Sequence, residues 1–140
     1  MKKLAYLKFL TVILLVSLCS CNSKIKTFSE SDIKIIPKPA ELKLNEGVFE
    51  FTKNTKFVVD IKNELIITNV LIDKFKNTEG WNLEISNEIS SKNYVEFIQD
   101  NSLKNGAYNL IVTTEKVTIS AKDDSGFMYG LETIRQLLPV

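Results

Sequence analysis

The sequence predicts an α+β domain, and three observations support this fold class. Short runs with alternating apolar and polar residues occur on both sides of residues 60–78, which have the 3.6-residue period of an amphipathic helix. A second helical pattern closes the chain. With 140 residues, 44% hydrophobic and 25% charged, the chain has the size and composition of one globular core. We expect the strands to form an antiparallel sheet.

The first twenty residues have the pattern of a secretory signal peptide. Lys2, Lys3 and Lys8 make a basic start, and residues 9–18 (FLTVILLVSL) form a short apolar run. About ten apolar residues suit the central region of a signal but are too few to span a bilayer, which takes roughly twenty. We therefore predict export.

The apolar run ends in Leu18-Cys19-Ser20-Cys21, which resembles the lipobox of bacterial lipoproteins. Ser20 is the small residue before the cleaved bond, and Cys21 is the predicted site of lipidation. Two acyl signals would hold the exported domain on a membrane of the cell envelope, in an undetermined leaflet. The alternative is a signal peptide cut elsewhere, with two incidental cysteines.

Composition after this cleavage excludes several classes of site. Cys19 is lost and Cys21 becomes a thioether, so no disulfide or cysteine metal site remains. The chain has no histidine, which excludes Ser-His-Asp, Cys-His and histidine-metal chemistry. Removing three lysines from 18 basic residues leaves 15 against 17 acidic ones, a net charge of −2. We expect no cofactor, no metal and no nucleic-acid partner.

Residues 21–32 are polar enough for a tether, so the globular domain is predicted over residues 33–140. Pro37 and Pro39 favour extended backbone at its entry. Leu42 and Leu44 alternate up to a turn at residues 45–47, and residues 48–51 alternate after it, which predicts a hairpin. Residues 57–59 predict a further strand.

Residues 60–78 predict the first helix, whose apolar stripe excludes Ile66 and Val70. The stripe residues are Ile61, Leu65, Ile67, Leu71, Ile72 and Phe75. Asp60 is a candidate N-cap and Gly80 a candidate C′ residue, followed by the apolar Trp81. A partly stranded segment 65–67 is the alternative.

The last third alternates strongly and then becomes helical. Residues 83–85 and 95–97 predict strands, and residues 108–112 face 117–121 across a turn at 114–116 in an antiparallel hairpin. Asp123, Asp124 and Ser125 are candidate caps for the closing helix.

The closing helix has one apolar face and one face of small residues. Phe127, Leu131, Ile134 and Leu138 form the apolar face. Gly126, Gly130, Thr133 and Leu137 form the strip beside it. Because each interior glycine costs about 0.8–1 kcal/mol against alanine, the strip predicts close packing against the sheet or a following domain. A chance arrangement is the alternative.

Four segments of the chain are similar to a known family: residues 35–39 (IIPKP), 107–112 (AYNLIV), 117–121 (VTISA) and 126–139 (GFMYGLETIRQLLP). Together they resemble the N-terminal domain of family 20 glycoside hydrolases, the β-N-acetylhexosaminidases. The last stretch is the most specific, being close to the pattern G-x-x-Y-G-L-x-T-L-x-Q-L-L. One difference is Asn105-Gly106, just before Ala107, where the family usually has an acidic residue. The resemblance implies an antiparallel sheet with two helices on one face, ahead of a catalytic (β/α)₈ barrel.

The resemblance also implies that the chemistry lies in the barrel. There an Asp-Glu pair acts, the Glu as general acid/base and the Asp orienting the substrate's 2-acetamido group. The sequence has no Asp-Glu dipeptide, and a barrel takes roughly 250 residues. The paired carboxylates Glu30 with Asp32 and Asp123 with Asp124 suit a solvated tether and a helix start. We therefore expect no catalytic residue here.

The leading interpretation is the non-catalytic domain of a lipid-anchored β-N-acetylhexosaminidase. Its barrel would be the partner that binds the glycan, and the 140 residues would be an inactive fragment or truncated reading frame. One alternative is a standalone surface lipoprotein that binds glycan or protein. Another is the analogous domain ahead of a different glycosidase barrel.

Overall fold

The computed structural model describes residues 27–59 and 62–138. After a single 3-10 turn at Glu30–Asp32, these residues form five strands and two helices. The elements in chain order are β1 (Lys56–Val58), α1 (Lys62–Glu79), β2 (Glu84–Ser86), β3 (Tyr94–Gln99), β4 (Tyr108–Val112), β5 (Lys116–Ala121) and α2 (Asp124–Leu137). The predicted α+β class is confirmed.

The sheet is mixed, so the prediction of an antiparallel sheet is wrong. Its strand order is β2-β1-β3-β5-β4. The pairs β1–β2, β1–β3 and β3–β5 are parallel, and β4–β5 is antiparallel. Helix α1 supplies the crossover that lets β2 run parallel to β1. Alternation in a sequence identifies the two faces of a strand but carries no information on its direction.

The hairpin predicted over residues 42–51 does not form. This segment has no strand hydrogen-bond ladder, although Leu42, Leu44 and Phe49 are half-buried between exposed neighbours. The alternation therefore marks an extended chain that packs on the domain. The Phe49 and Phe51 rings lie 4.9 Å apart, and Phe51 lies 4.8 Å from Phe75 of α1.

Both helices cover the same face of the sheet, as the resemblance implies. Sheet residues Phe57, Val95, Val117 and Ile119 share one buried cluster with side chains of both helices. Helix α1 contributes Ile67, Leu71 and Phe75, and α2 contributes Phe127, Leu131 and Ile134. Val70, outside the predicted stripe, is 46% exposed. The stripe of α1 and the apolar face of α2 are thus confirmed where they are described.

Helix α1 ends as the sequence predicts. Gly80 has a φ of +71°, and its N–H donates to the Lys76 carbonyl at 3.1 Å, which is the αL termination motif. Trp81 then stacks on Phe75 with ring centroids 5.9 Å apart. The predicted N-cap Asp60 lies outside the described residues.

Candidate functional site

Asp123 is the N-cap of α2 and also fixes the loop before β4. Its Oδ1 accepts from the Gly126 N–H at 3.0 Å, and its carboxylate accepts from the Gly106 N–H at 3.1 Å. These N–H donors, Gly126 first, hold the pKa of Asp123 below its ordinary value. The carboxyl at the helix start is thus engaged in structure, and its neighbour Asp124 is exposed.

The two helical glycines lie against the sheet. A Cβ on Gly126 would lie 2.5 Å from the Ala107 carbonyl oxygen, and one on Gly130 would lie 2.6 Å from Cγ2 of Ile119. Both distances are shorter than the van der Waals contacts that real Cβ atoms make. A glycine that destabilises a helix is expected to lie against another backbone. Gly126 does so, whereas the nearest neighbour of Gly130 is a side chain.

The other two residues of the strip have different surroundings. Thr133 is 6% exposed, and its hydroxyl donates to the Tyr129 carbonyl at 3.0 Å. The Tyr108 hydroxyl lies 2.6 Å from the Thr133 oxygen, so it is the donor of that second bond. Leu137 is 40% exposed. Gly126, Gly130 and Thr133 thus contact the sheet or the residue before β4, whereas Leu137 is partly exposed.

In the remaining carboxylate pair, Glu30 with Asp32, the Asp32 carboxylate bonds to its own turn. Asp32 accepts from the Ser29 hydroxyl at 2.7 Å and from the Ser29 N–H at 2.8 Å. These bonds, the hydroxyl first, lower the pKa of Asp32. Within residues 27–59 and 62–138, no group of three or more acidic or metal-ligating side chains could hold a metal ion.

A polar network on the outer face of the sheet was not predicted. The Glu96 carboxylate is 2.6 Å from Nζ of Lys116 and accepts from the Thr118 hydroxyl at 2.6 Å. Hydrogen bonding to Glu96 raises the pKa of Lys116. The alternation along β3 could have predicted it, because side chains of successive strand residues point to opposite faces. Glu96 therefore lies on the face away from the core residues Val95 and Phe97. The network therefore gives hydrogen-bond partners to a carboxylate side chain that is only 10% exposed.

An apolar groove of about 710 Å³ lies where both helices end. We call this the helix-end groove. Its apolar lining comes from residues 47–51, the C-terminal parts of α1 and α2, and the ends of β4 and β5 that meet at their turn. The large apolar residues are Val48, Phe49, Phe51, Phe75, Trp81, Val112, Val117, Ile134, Leu137 and Leu138. The polar residues of the lining are Glu50, Lys74, Thr78 and Glu79.

Ser20 and Cys21, the predicted cleavage and lipidation residues, lie outside the described residues. In the part of the chain that the structure describes, neither helix has the length and apolar character needed to cross a bilayer.

Comparison with known proteins identifies the domain. The family model described as "Glycosyl hydrolase family 20, domain 2" matches residues 32–140. The chain belongs to glycoside hydrolase family 20. The resemblance of the sequence to the N-terminal domain of this family is therefore confirmed.

Individual relatives agree with this assignment. A β-hexosaminidase of Porphyromonas gingivalis is 31% identical over 132 residues, covering 89% of this chain and 17% of that protein. The family 20 exo β-N-acetylglucosaminidase of Vibrio harveyi, solved with N-acetylglucosamine, has a TM-score of 0.67 at 24% identity. That match covers 81% of this chain and 17% of the Vibrio protein.

A third similar structure is the β-N-acetylhexosaminidase of Bacteroides fragilis, with a TM-score of 0.58 at 22% identity. The match covers 73% of this chain and 20% of that protein. The printed chain thus spans about a fifth or less of the relatives it matches. What family 20 shares with it is a non-catalytic α+β domain, set beside a catalytic barrel in the longer proteins.

Proposed function

We propose that this chain is the non-catalytic N-terminal domain of a lipid-anchored β-N-acetylhexosaminidase. A following (β/α)₈ barrel would remove terminal N-acetylhexosamine residues from glycans. The match of the family 20 domain model to residues 32–140 carries the proposal. Two relatives, a β-hexosaminidase and an exo β-N-acetylglucosaminidase, support this class of substrate.

The described side chains support a structural role for the domain. Asp123 accepts from two backbone N–H groups, Asp32 from Ser29, and Glu96 from Lys116 and Thr118. Glycoside hydrolysis takes two carboxyl groups on either side of a bound sugar, one of them free to give a proton. Asp32, Asp123 and Glu96 are instead engaged in bonds within the domain.

The activity test compares two proteins on a chromogenic N-acetyl-β-glucosaminide. One is the printed chain, and the other is the product of the same gene read in frame beyond the codon for Val140. We expect hydrolysis by the longer product only. Hydrolysis by the printed chain would overturn the non-catalytic assignment. A genuine stop codon with no barrel sequence downstream would favour a standalone binding lipoprotein.

The lipid anchor is the second part of the proposal, and the basic start, the short apolar run and Leu18-Cys19-Ser20-Cys21 support it. Cys21→Ser should abolish incorporation of an alkyne-labelled fatty acid and release the protein from the membrane fraction. Cys19→Ser is the matched control, since it removes a thiol two residues away and should leave labelling unchanged. Labelling that persists in Cys21→Ser would contradict the assignment.

A further inference from the structure

The turn before β4 contains Asn105-Gly106, the single Asn-Gly dipeptide of the chain. Asn105 is exposed to solvent. In such a dipeptide the main-chain nitrogen of the glycine can attack the side-chain amide carbon of the asparagine, because glycine has no Cβ that would hinder the approach. The pair has the chemistry needed for deamidation, so its reactivity depends on how the turn holds the two groups.

The geometry of the turn opposes this attack. The Ala107 N–H donates to the Lys104 carbonyl at 3.0 Å, which closes a four-residue turn around the dipeptide. Gly106 has a φ of +73°, whereas Asn93 is the non-glycine residue with a positive φ in the part of the chain that the structure describes. A positive φ at the third residue alone is the pattern of a type II turn, in which ψ of the second residue is about +120°. Ring closure requires the Gly106 nitrogen to eclipse the Asn105 Cβ, and this ψ keeps the two atoms roughly 120° apart in rotation about the Cα–C bond.

The attacking nitrogen is also held by the N-cap of α2. The Gly106 N–H donates to both carboxylate oxygens of Asp123, each at 3.1 Å. The nitrogen must lose this proton before it attacks, and a negative charge beside it disfavours that loss. The carboxylate is charged at neutral pH, since bonds from the Gly126 and Gly106 N–H groups lower the pKa of Asp123. The bond between the turn and the helix start therefore protects the dipeptide.

We propose that Asn105-Gly106 is a deamidation site controlled by the start of α2, because the reaction proceeds only when Asp123 releases the Gly106 N–H. In the reaction, the deprotonated Gly106 nitrogen forms a bond to Cγ of Asn105. The bond from Cγ to the side-chain nitrogen breaks, and ammonia leaves with a proton from water. One water then opens the succinimide ring. Cleavage at Cγ gives aspartate, and cleavage at the main-chain carbonyl carbon gives isoaspartate. Overall, one water is consumed and one ammonia is released.

The isoaspartate product would change the contact between the turn and α2. It lengthens the main chain by one carbon between residue 105 and Gly106. The bond from Gly106 to Asp123 depends on the original spacing, and so does the position of the Ala107 carbonyl, which lies where a Cβ on Gly126 would be. We therefore expect the isomerised protein to unfold at a lower urea concentration than the unmodified protein.

Peptide mapping by mass spectrometry tests the proposal on the printed chain, incubated at mildly alkaline pH with and without guanidinium chloride. In the denaturant, Asn105 should deamidate faster than any other asparagine of the chain. In the folded chain it should react about tenfold more slowly, or slower still, because a hydrogen bond to a charged group must open first. Asp123→Ala should restore most of the denatured rate. Asp124→Ala is the matched control, since it removes the neighbouring, exposed carboxylate and should leave the rate unchanged.

A second variant, Asp123→Asn, keeps the test valid if Asp123→Ala fails to fold. Asparagine caps a helix about as well as aspartate but carries no charge, so deamidation at Asn105 should still be faster than in wild type. An Asn105 side chain that stays intact in the denaturant would overturn the site. Equal rates in the folded and denatured chains, or an equal acceleration by Asp124→Ala, would overturn its control by Asp123.

Discussion

Replacing Gly126 by alanine probes the contact between α2 and the sheet. The new methyl carbon would lie 2.5 Å from the Ala107 carbonyl oxygen and 2.8 Å from the Ala121 Cβ. Ordinary contact is 3.4–4 Å, so the methyl overlaps both atoms. One is backbone and the other is fixed directly to it, so neither neighbour can turn away as a long side chain would.

The magnitude follows from two opposing effects. Overpacking a well-packed site costs about 1–3 kcal/mol, and two rigid neighbours place Gly126→Ala in the upper half of that range. Alanine returns at most about 1 kcal/mol of helix propensity. We therefore expect a net loss of about 2 kcal/mol in the free energy of unfolding. Gly130→Ala should cost less, because its nearest atom is a side-chain methyl group of Ile119.

Urea unfolding followed by the fluorescence of Trp81, the single tryptophan of the chain, measures this loss. With a slope of about 2 kcal/mol per molar urea, the midpoint should fall by about 1 M. Ser125→Ala, at the exposed neighbouring position, is the control and should stay within about 0.5 kcal/mol of wild type. A Gly126→Ala protein as stable as wild type, or more stable, would refute the close-packing argument.

Three further predictions concern hydrogen bonds and charges. Thr133→Val should lose about 1 kcal/mol in urea unfolding, and a double-mutant cycle with Tyr108→Phe should show the two losses to be coupled. Folding lowers the pKa of Asp123, so the stability that its carboxylate adds is present above pH 3.8, its ordinary pKa, and is lost as the pH falls through the folded-state pKa. Acid unfolding of Asp123→Asn should therefore depend less on pH than that of wild type. Glu96 raises the pKa of Lys116, so the stability that the Lys116 charge adds is present below pH 10.5, its ordinary pKa, and is lost as the pH rises through the folded-state pKa. The melting temperature of Lys116→Met should therefore fall less at alkaline pH than that of wild type.

The elements that the sequence predicted well are those whose signals are local. Asp123 at the start of α2 and Gly80 after α1 each satisfy backbone groups within a few residues of themselves. The strands β4 and β5 face each other across a short turn, so their register follows from adjacency along the chain. These features need no knowledge of where distant segments lie.

The features that the sequence did not predict depend on distant segments. Residues 42–51 alternate as a strand would, but Phe49 and Phe51 meet Phe75 of α1 rather than a neighbouring strand. Parallel pairing of β3 with β5 joins segments between which β4 intervenes in sequence. The burial of Glu96 likewise depends on Lys116 and Thr118, which reach it only because of that parallel pairing.

The described residues of the stretch GFMYGLETIRQLLP, on which the family resemblance depends, pack α2 against the rest of the domain. Gly126 and Gly130 allow α2 to lie close to the sheet. Thr133 bonds to Tyr108, and Leu138 lies at the helix-end groove, where the helix ends. A substitution at Gly126 should therefore lower the activity of the longer enzyme only by lowering its folded fraction, with kcat per folded molecule unchanged. A substitution at Leu137 should cost less stability than one at Gly126, since the Leu137 side chain is 40% exposed. The two ends of this helix thus differ in how much each contributes to the stability of the domain.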